Sequence, residues 1–207
     1  MILEGIVTTL NPDGTANVAP MGPRVGPVLD RFTLRPYHTA QTWRNLREHG
    51  EGVLHVTDDV LLLARAALGP VEPPPPVFAA GRVRGFVLQD ACRYYEFRVA
   101  SLDEREERVR IEAEVVHSGR LRDFFGFNRA KHAVVEAAIL ATRTDFLPLE
   151  EIEAEYRKLA VIVDKTGGAQ EHEAFAVLRA HVARVAEARR GEGPFGDWGV
   201  YGIPLRS

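Results

Sequence analysis

A tight turn between two extended runs is the feature that most limits how this chain folds. Residues 11–14 read Asn-Pro-Asp-Gly. In such a turn proline presets φ, aspartate bonds to nearby backbone, and glycine supplies a positive φ without steric cost. An apolar, β-branched run precedes the turn at residues 6–10, and a second extended run follows it at residues 15–19. The arrangement predicts a β-hairpin at the start of the chain.

The second predicted strand ends in the sequence Ala-Pro-Met-Gly at residues 19–22. A proline donates no hydrogen bond to a sheet, and a glycine has no side chain to hold a ligand away. We therefore expect irregular backbone here that approaches a ligand closely.

Composition excludes several classes of protein. Of the 207 residues 45% are hydrophobic and 27% are charged, with a formal net charge of −3, so nothing indicates binding to nucleic acid or to an anionic membrane. The single cysteine, Cys92, excludes an internal disulfide and multi-thiolate zinc sites. No signal-peptide pattern opens the chain, and no apolar run approaches the ~18 residues of a membrane helix. We expect a cytoplasmic protein without a metal site.

Hydrophobic periodicity divides the chain into two parts. The first part is mainly β, with a helix from about residue 39 to 50, another over residues 60–68, and later strands over residues 82–89, 93–100 and 107–117. The second part has helical periodicity and predicts helices over residues 130–143, 149–163 and 169–190. We predict a β domain over residues 1–125 and a helical region over residues 126–207 that packs on it.

A polar cluster surrounds the start of the first predicted helix. Thr39 and Thr42 place hydroxyl groups beside the free N–H groups of a helix N-terminus, which favours a bound anion. Arg35, at the end of the preceding strand, can add a bidentate phosphate contact. The plainer interpretation, which spacing alone favours, makes Thr39 an N-cap, Asn45 a surface residue and Arg35 part of a structural salt bridge.

Two motifs together resemble a known superfamily. Asn-Val-Ala-Pro-Met-Gly at residues 17–22, followed by Thr42-x-x-Asn45-Leu46, resembles the flavin reductase-like branch of the FMN-binding split β-barrels. In addition, the opening at residues 6–11, Arg-Pro-Tyr at 35–37 and Phe-Asn-Arg-Ala-Lys-His at 127–132 are similar to the family called domain of unknown function 447. This second resemblance covers essentially the whole chain.

The resemblance implies an α+β protein with a mainly β core. It would be a six-stranded FMN-binding split barrel with a C-terminal helical appendage, forming a homodimer with FMN at the interface. The implied cofactor-binding residues are Thr8, Asn17, Val18, Ala19, Pro20, Met21, Gly22, Arg35, Pro36, Tyr37, Thr39, Thr42 and Asn45.

This chain departs from the reductase pattern in two places. Ala40-Gln41 stands where Lys-Asp is usual, and Met21-Gly22 stands where an aromatic residue and serine are usual. The lysine of the phosphate site is therefore missing, and Arg35 or another basic residue has to replace it.

A second polar cluster opens the first helix of the C-terminal region. Asn128 is expected to cap this helix, while Arg129, Lys131 and His132 lie in its first turn. Positive charge at a helix N-terminus opposes the macrodipole unless an anion or an acidic partner is near. One interpretation makes these four residues a binding site for an anionic substrate. The other has Lys131 snorkelling and Arg129 exposed, with Glu136 one turn on supplying an ion-pair partner.

The predicted function is an FMN-dependent oxidoreductase acting on a small, anionic molecule, with the flavin carrying the hydride or electron chemistry. No residue stands out as an obligatory acid or base, and no nucleophile-elbow, phosphate-loop or zinc-protease motif is present. The alternative is a non-catalytic flavin-binding or sensing dimer. A third hypothesis is a structural dimer with an empty pocket.

Overall fold

The computed structural model describes residues 1–191, so residues 192–207 of the predicted helical region lie outside the described residues. Within them the strands are β1 (Gly5–Leu10), β2 (Ala16–Met21), β3 (Arg24–Val25), β4 (Arg31–Leu34), β5 (Glu51–Val56), β6 (Val77–Ala79), β7 (Phe86–Leu88), β8 (Arg93–Asp103) and β9 (Arg110–Arg120). The helices are α1 (Gln41–His49), α2 (Val60–Leu68), α3 (Arg129–Ala141), α4 (Leu149–Thr166) and α5 (Ala169–Gly191). In this part of the chain no helix has the length and apolar character needed to cross a membrane.

Seven strands form one antiparallel sheet in the order β2-β1-β5-β8-β9-β4-β3, and β6 pairs with β7 in a separate hairpin. The sheet curls into a half-barrel and the helices pack around it, which confirms the predicted α+β fold class. The sheet has seven strands instead of the predicted six. The short β3, only two residues long, extends the sheet beyond β4.

The N-terminal hairpin forms as predicted. β1 and β2 pair along their whole length, and Gly14 closes the turn with a φ of 84°. Pro20 lies inside β2, opposite Ile6, so the prediction of irregular backbone at this proline is wrong. The sheet tolerates the proline because β2 is an edge strand, where N–H groups on the outer side have no ladder partner.

The predicted strand over residues 82–89 is wrong in its first half. Only Phe86–Leu88 is extended, and residues 81–85 form a loop. The buried carboxylate of Glu96 on β8 accepts hydrogen bonds from the N–H groups of Gly81 at 2.9 Å, Arg82 at 2.5 Å and Val83 at 3.1 Å. These N–H groups are therefore satisfied without a neighbouring strand.

Two large buried clusters hold the molecule together. One lies within the barrel and includes Phe97, Leu34 and Trp43. The other joins Ile6 of β1 and the buried face of α2 to all three helices that follow residue 128. Because this second cluster contains residues from both parts of the chain, the helical region packs directly against the barrel.

A buried histidine links β1, β5 and β7. His55 has no exposed surface, and its Nε2 accepts a hydrogen bond from the N–H of Leu88 at 3.1 Å. Its Nδ1 therefore carries the proton and donates to the carbonyl oxygen of Ile6 at 3.2 Å. Burial lowers the pKa of His55 to about 4, so the ring is neutral at physiological pH and serves the structure.

Candidate functional site

An open groove runs along the edge strand β2. Its volume is about 1950 Å³, and its walls come from β2, the connection between β4 and α1, part of α2, and the end of α3 with the turn that follows. All of the predicted cofactor-binding residues line this groove except Thr8 and Asn45. The groove is larger than the roughly 300–1,000 Å³ of a typical small-molecule pocket.

A hydrogen bond joins the two predicted motifs at the groove. Nδ2 of Asn17 on β2 donates to Oγ1 of Thr42 in α1 at 3.1 Å, and also to Oγ1 of Thr9 at 3.1 Å. Thr42 is only 2% exposed, so its hydroxyl is held in one position. The strand and the helix start therefore form a single wall of the groove.

Asn45 and Thr8 support this wall from behind. Asn45 is 1% exposed, and its Nδ2 donates to Oγ1 of Thr9 at 3.0 Å and to Oδ1 of Asn11 at 2.9 Å. Oγ1 of Thr8 donates to the carbonyl oxygen of Phe86 at 2.6 Å, which fixes β7 against β1. The structure thus gives both residues internal partners and places neither on the groove surface.

The N-terminus of α1 opens onto the groove. The N-cap is Ala40, which has no side chain able to accept a hydrogen bond from the first turn, so the prediction that Thr39 is the N-cap is wrong. Gln41 and Thr42, the first two helical residues, line the groove, and the first turn contains no acidic residue. Uncapped N–H groups at the positive end of a helix can bind an anion.

Three arginines line the groove, and two of them are engaged within the protein. Nη2 of Arg35 lies 2.6 Å from a carboxylate oxygen of Glu106, as the plainer interpretation of the sequence expects. The guanidinium of Arg108 lies 4.3 Å from the ring centre of Tyr37 and donates to its hydroxyl at 2.7 Å. The third, Arg143, comes from the turn after α3. Arg108 and Arg143 lie in segments without a recognisable binding motif, so sequence reasoning did not find them.

Acidic side chains also line the groove, at Glu4, Asp13, Glu72 and Glu107, and all four are exposed. Although Glu4 is exposed as a residue, its carboxyl group is partly buried. This partial burial, and to a smaller extent the charge of Glu136, raise the pKa of Glu4. The groove therefore carries charges of both signs.

The predicted substrate residues lie away from the groove. Asn128 caps α3, as predicted, by accepting a hydrogen bond from the N–H of Lys131 at 3.1 Å. Nζ of Lys131 lies 2.7 Å from the carboxylate of Glu171, so an acidic partner inside the protein satisfies the cation. None of Asn128, Arg129, Lys131 and His132 lines the groove.

A second buried carboxylate, Asp58, fixes the loop that precedes α3. It accepts hydrogen bonds from both terminal nitrogens of Arg122 at 2.5 and 3.1 Å, and from the N–H of Phe125 at 2.6 Å. The hydrogen bond from Arg122 is the main reason that the pKa of Asp58 is lowered. No group of three or more His, Cys, Asp and Glu residues able to hold a metal occurs in residues 1–191.

The curled antiparallel sheet has the flavin reductase-like split-barrel fold. Residues 3–122 match the model for the N-terminal domain of a protein family of unknown function, DUF447, and residues 128–180 match the model for its C-terminal part. The chain belongs to this family.

Two solved structures show the same fold. The FMN-bound protein MM1853 from Methanosarcina mazei is 22% identical and aligns with a TM-score of 0.76, covering 87% of this chain and 94% of that protein. The flavin reductase HpaC, solved in complex with NADP⁺, is 20% identical and aligns with a TM-score of 0.52, covering 61% of this chain and 82% of that protein.

Proposed function

We propose that this chain binds FMN in the groove along β2. The observation that carries the proposal is the hydrogen bond between Asn17 and Thr42, which brings the two motifs of the resemblance together on one wall. MM1853, a structure of the same fold and family, contains bound FMN, which supports the choice of flavin.

The groove offers a different kind of contact to each part of the ligand. The outer backbone groups of the edge strand β2 are available to hydrogen-bond the edge of a flavin ring. The uncapped N-terminus of α1 at Gln41 and Thr42 is suited to the phosphate. Apolar side chains of α2 and α3, including Leu63 and Ile139, supply a surface for the ring.

The proposal extends to a flavin-dependent oxidoreductase of a small-molecule substrate in the cytoplasm, a compartment that the single buried cysteine favours. Bound FMN would supply the hydride or electron chemistry. The protein's own residues would bind and orient it. Anaerobic reduction of the bound flavin by NADH or NADPH tests turnover, and a bound flavin that neither nucleotide nor an added substrate changes would indicate a sensing protein.

The Thr42→Val variant is expected to bind FMN about tenfold more weakly, since the substitution removes one hydroxyl of the proposed site while keeping the shape of the side chain. Quenching of flavin fluorescence during titration measures the affinity. Thr33→Val is the matched control, because the Thr33 hydroxyl bonds to Glu112 on β9 and does not line the groove. Wild-type protein that takes up no FMN would refute the proposal, and equal affinity of Thr42→Val and wild type would remove Thr42 from the site.

The proposed function includes a homodimer. The loop before α3 exposes Phe125 and Phe127, with 73% and 96% of their surface accessible. Asp58 holds this loop in place through Arg122 and the backbone of Phe125. Exposed aromatic side chains on an anchored loop are typical of a protein interface. A second copy of this chain is the partner that we propose for this surface.

We expect the wild-type chain to be dimeric and the double variant Phe125→Asp, Phe127→Asp to be monomeric at micromolar concentration. Both side chains are exposed, so the variant should keep its circular dichroism spectrum. Val28→Asp is the control, since Val28 is 71% exposed but lies outside this loop. Light scattering coupled to size exclusion measures the mass. A monomeric wild type would contradict the dimer, and a dimeric double variant would place the interface elsewhere.

A further inference from the structure

The C-terminal helical region supplies a cation to the same groove as the barrel. Arg143 lies in the turn between α3 and α4, and it lines the groove together with Thr42 and the residues of β2. The groove is therefore not a feature of the barrel alone. One of its walls carries a positive charge that the barrel does not provide.

The turn that carries Arg143 is fixed by hydrogen bonds. The carbonyl oxygen of Arg143 accepts from the N–H groups of Phe146 at 2.9 Å and Leu147 at 3.0 Å. Nη2 of Arg189 on α5 donates to the carbonyl oxygen of Thr144 at 2.8 Å. The backbone of Arg143 is therefore held in one position beside the groove.

Arg189 also forms an ion pair with Asp145, the acidic residue nearest to Arg143 in the sequence. Nη2 of Arg189 lies 2.9 Å from a carboxylate oxygen of Asp145. Among residues 1–191 no carboxylate lies within the 4.0 Å limit of an ion pair with the Arg143 guanidinium. Of the three groove arginines, Arg35 is paired with Glu106 and Arg108 is bonded to Tyr37. Arg143 is thus the groove arginine whose guanidinium has neither a hydrogen-bond nor an ion-pair partner within residues 1–191.

We propose that Arg143 binds the phosphate of FMN. The inference rests on the proposed function. It adds Arg143 of the helical region to the N-terminus of α1 as a phosphate contact, in place of Arg35. A guanidinium presents a planar fork of donors that matches two phosphate oxygens, and a charge-assisted hydrogen bond of this kind is stronger than a neutral one. The C-terminal helices then complete the ligand site as well as packing on the barrel.

A comparison of FMN with riboflavin tests this assignment, because the two ligands share the ring and differ in the phosphate. We expect wild-type protein to prefer FMN. In Arg143→Ala the affinity for FMN should fall roughly tenfold or more, while the affinity for riboflavin stays within about twofold of wild type. Arg143→Lys should recover part of the loss, because it restores the charge without the fork.

Two further variants serve as controls. Arg157→Ala removes an exposed arginine of α4 that does not line the groove, and it should leave both affinities unchanged. Arg35→Ala should reduce the preference for FMN less than Arg143→Ala does. An Arg143→Ala variant that keeps the wild-type preference for FMN, or that loses both ligands equally, overturns the phosphate assignment while the proposed function stands. Wild-type protein that binds neither flavin overturns the proposed function itself.

Discussion

Replacing Lys131 with methionine is expected to lower the free energy of unfolding by about 3–5 kcal/mol, the usual cost of removing one partner of a buried ion pair. Nζ of Lys131 lies 2.7 Å from Oε1 of Glu171, and it also donates to Gln170 at 3.0 Å and to the carbonyl oxygen of Asp58 at 2.8 Å. The two charged side chains are only 15% and 8% exposed. The variant therefore leaves the Glu171 carboxylate buried without its cation.

Urea unfolding followed by circular dichroism measures this loss. Lys158→Met is the matched control, because Lys158 is 70% exposed in its pair with Glu155 and such pairs contribute about 0–1 kcal/mol. Adding Glu171→Gln to Lys131→Met should restore part of the stability, since a neutral amide can still accept from the N–H of Gly168. Equal losses in Lys131→Met and Lys158→Met would show that the buried pair is not stabilising.

The effect should also depend on pH. Burial alone raises the pKa of Glu171, but the hydrogen bonds from Lys131 and from the N–H of Gly168 outweigh it, so the pKa is lowered. The pair therefore stabilises the wild type at neutral pH, and this contribution is lost as the pH falls through the lowered pKa. In Lys131→Met, protonation of Glu171 relieves a buried charge. The gap in stability between the two proteins should narrow on acidification.

The same experiment separates the two interpretations of Lys131 that the sequence allows. Replacing a structural lysine lowers the free energy of unfolding. Replacing a lysine that only contacts a substrate would leave the free energy of unfolding of the ligand-free protein unchanged. Because all three partners of Nζ lie within the protein, we expect the first result.

A second large loss is expected from Glu96→Ala, at about 2–4 kcal/mol, because three N–H groups, that of buried Val83 among them, would lose their buried acceptor. Glu96 is 1% exposed, and its two carboxylate oxygens receive the N–H groups of Gly81, Arg82 and Val83. Alanine reaches none of them. The three N–H groups of the loop between β6 and β7 would then have to donate to water, or the loop would have to change its conformation.

Limited trypsin digestion makes this second prediction specific to the loop, since Arg82 and Arg84 are cleavage sites within it. Glu96→Ala should be cut there faster than wild type, in addition to unfolding at lower urea concentration. Glu114→Ala is the control, because Glu114 is on β9, 48% exposed and paired only with Arg31. Unchanged cleavage at both arginines would show that the carboxylate does not hold the loop.

The loop held by Glu96 also shows why one predicted strand is wrong. Residues 82–89 have a strand-like composition, and a strand is one way to satisfy their backbone N–H groups. A carboxylate contributed by β8 provides another acceptor. Nothing in residues 82–89 themselves indicates that acceptor, so local pattern cannot choose between the two arrangements.

The residues of the candidate site were likewise predicted from the sequence only in part. Asn17 and Thr42 were predicted as a pair of motifs, and the structure places them in hydrogen-bond contact. Thr8 and Asn45 were predicted beside them but are buried behind the groove, because side-chain direction on a strand or helix decides which neighbours reach the surface. Arg143 was not predicted, since it reaches the groove only through the packing of α3 against α2.

The sequence by itself determined the hairpin at residues 11–14, the mainly β first part, the three C-terminal helices and the family. These follow from turn chemistry, periodicity and motifs, which are properties of short segments. Only the tertiary structure decided that Glu171 neutralises Lys131 and that Arg143 faces the groove along β2. Such pairings join segments far apart in the chain, and they depend on how the helices pack on the barrel.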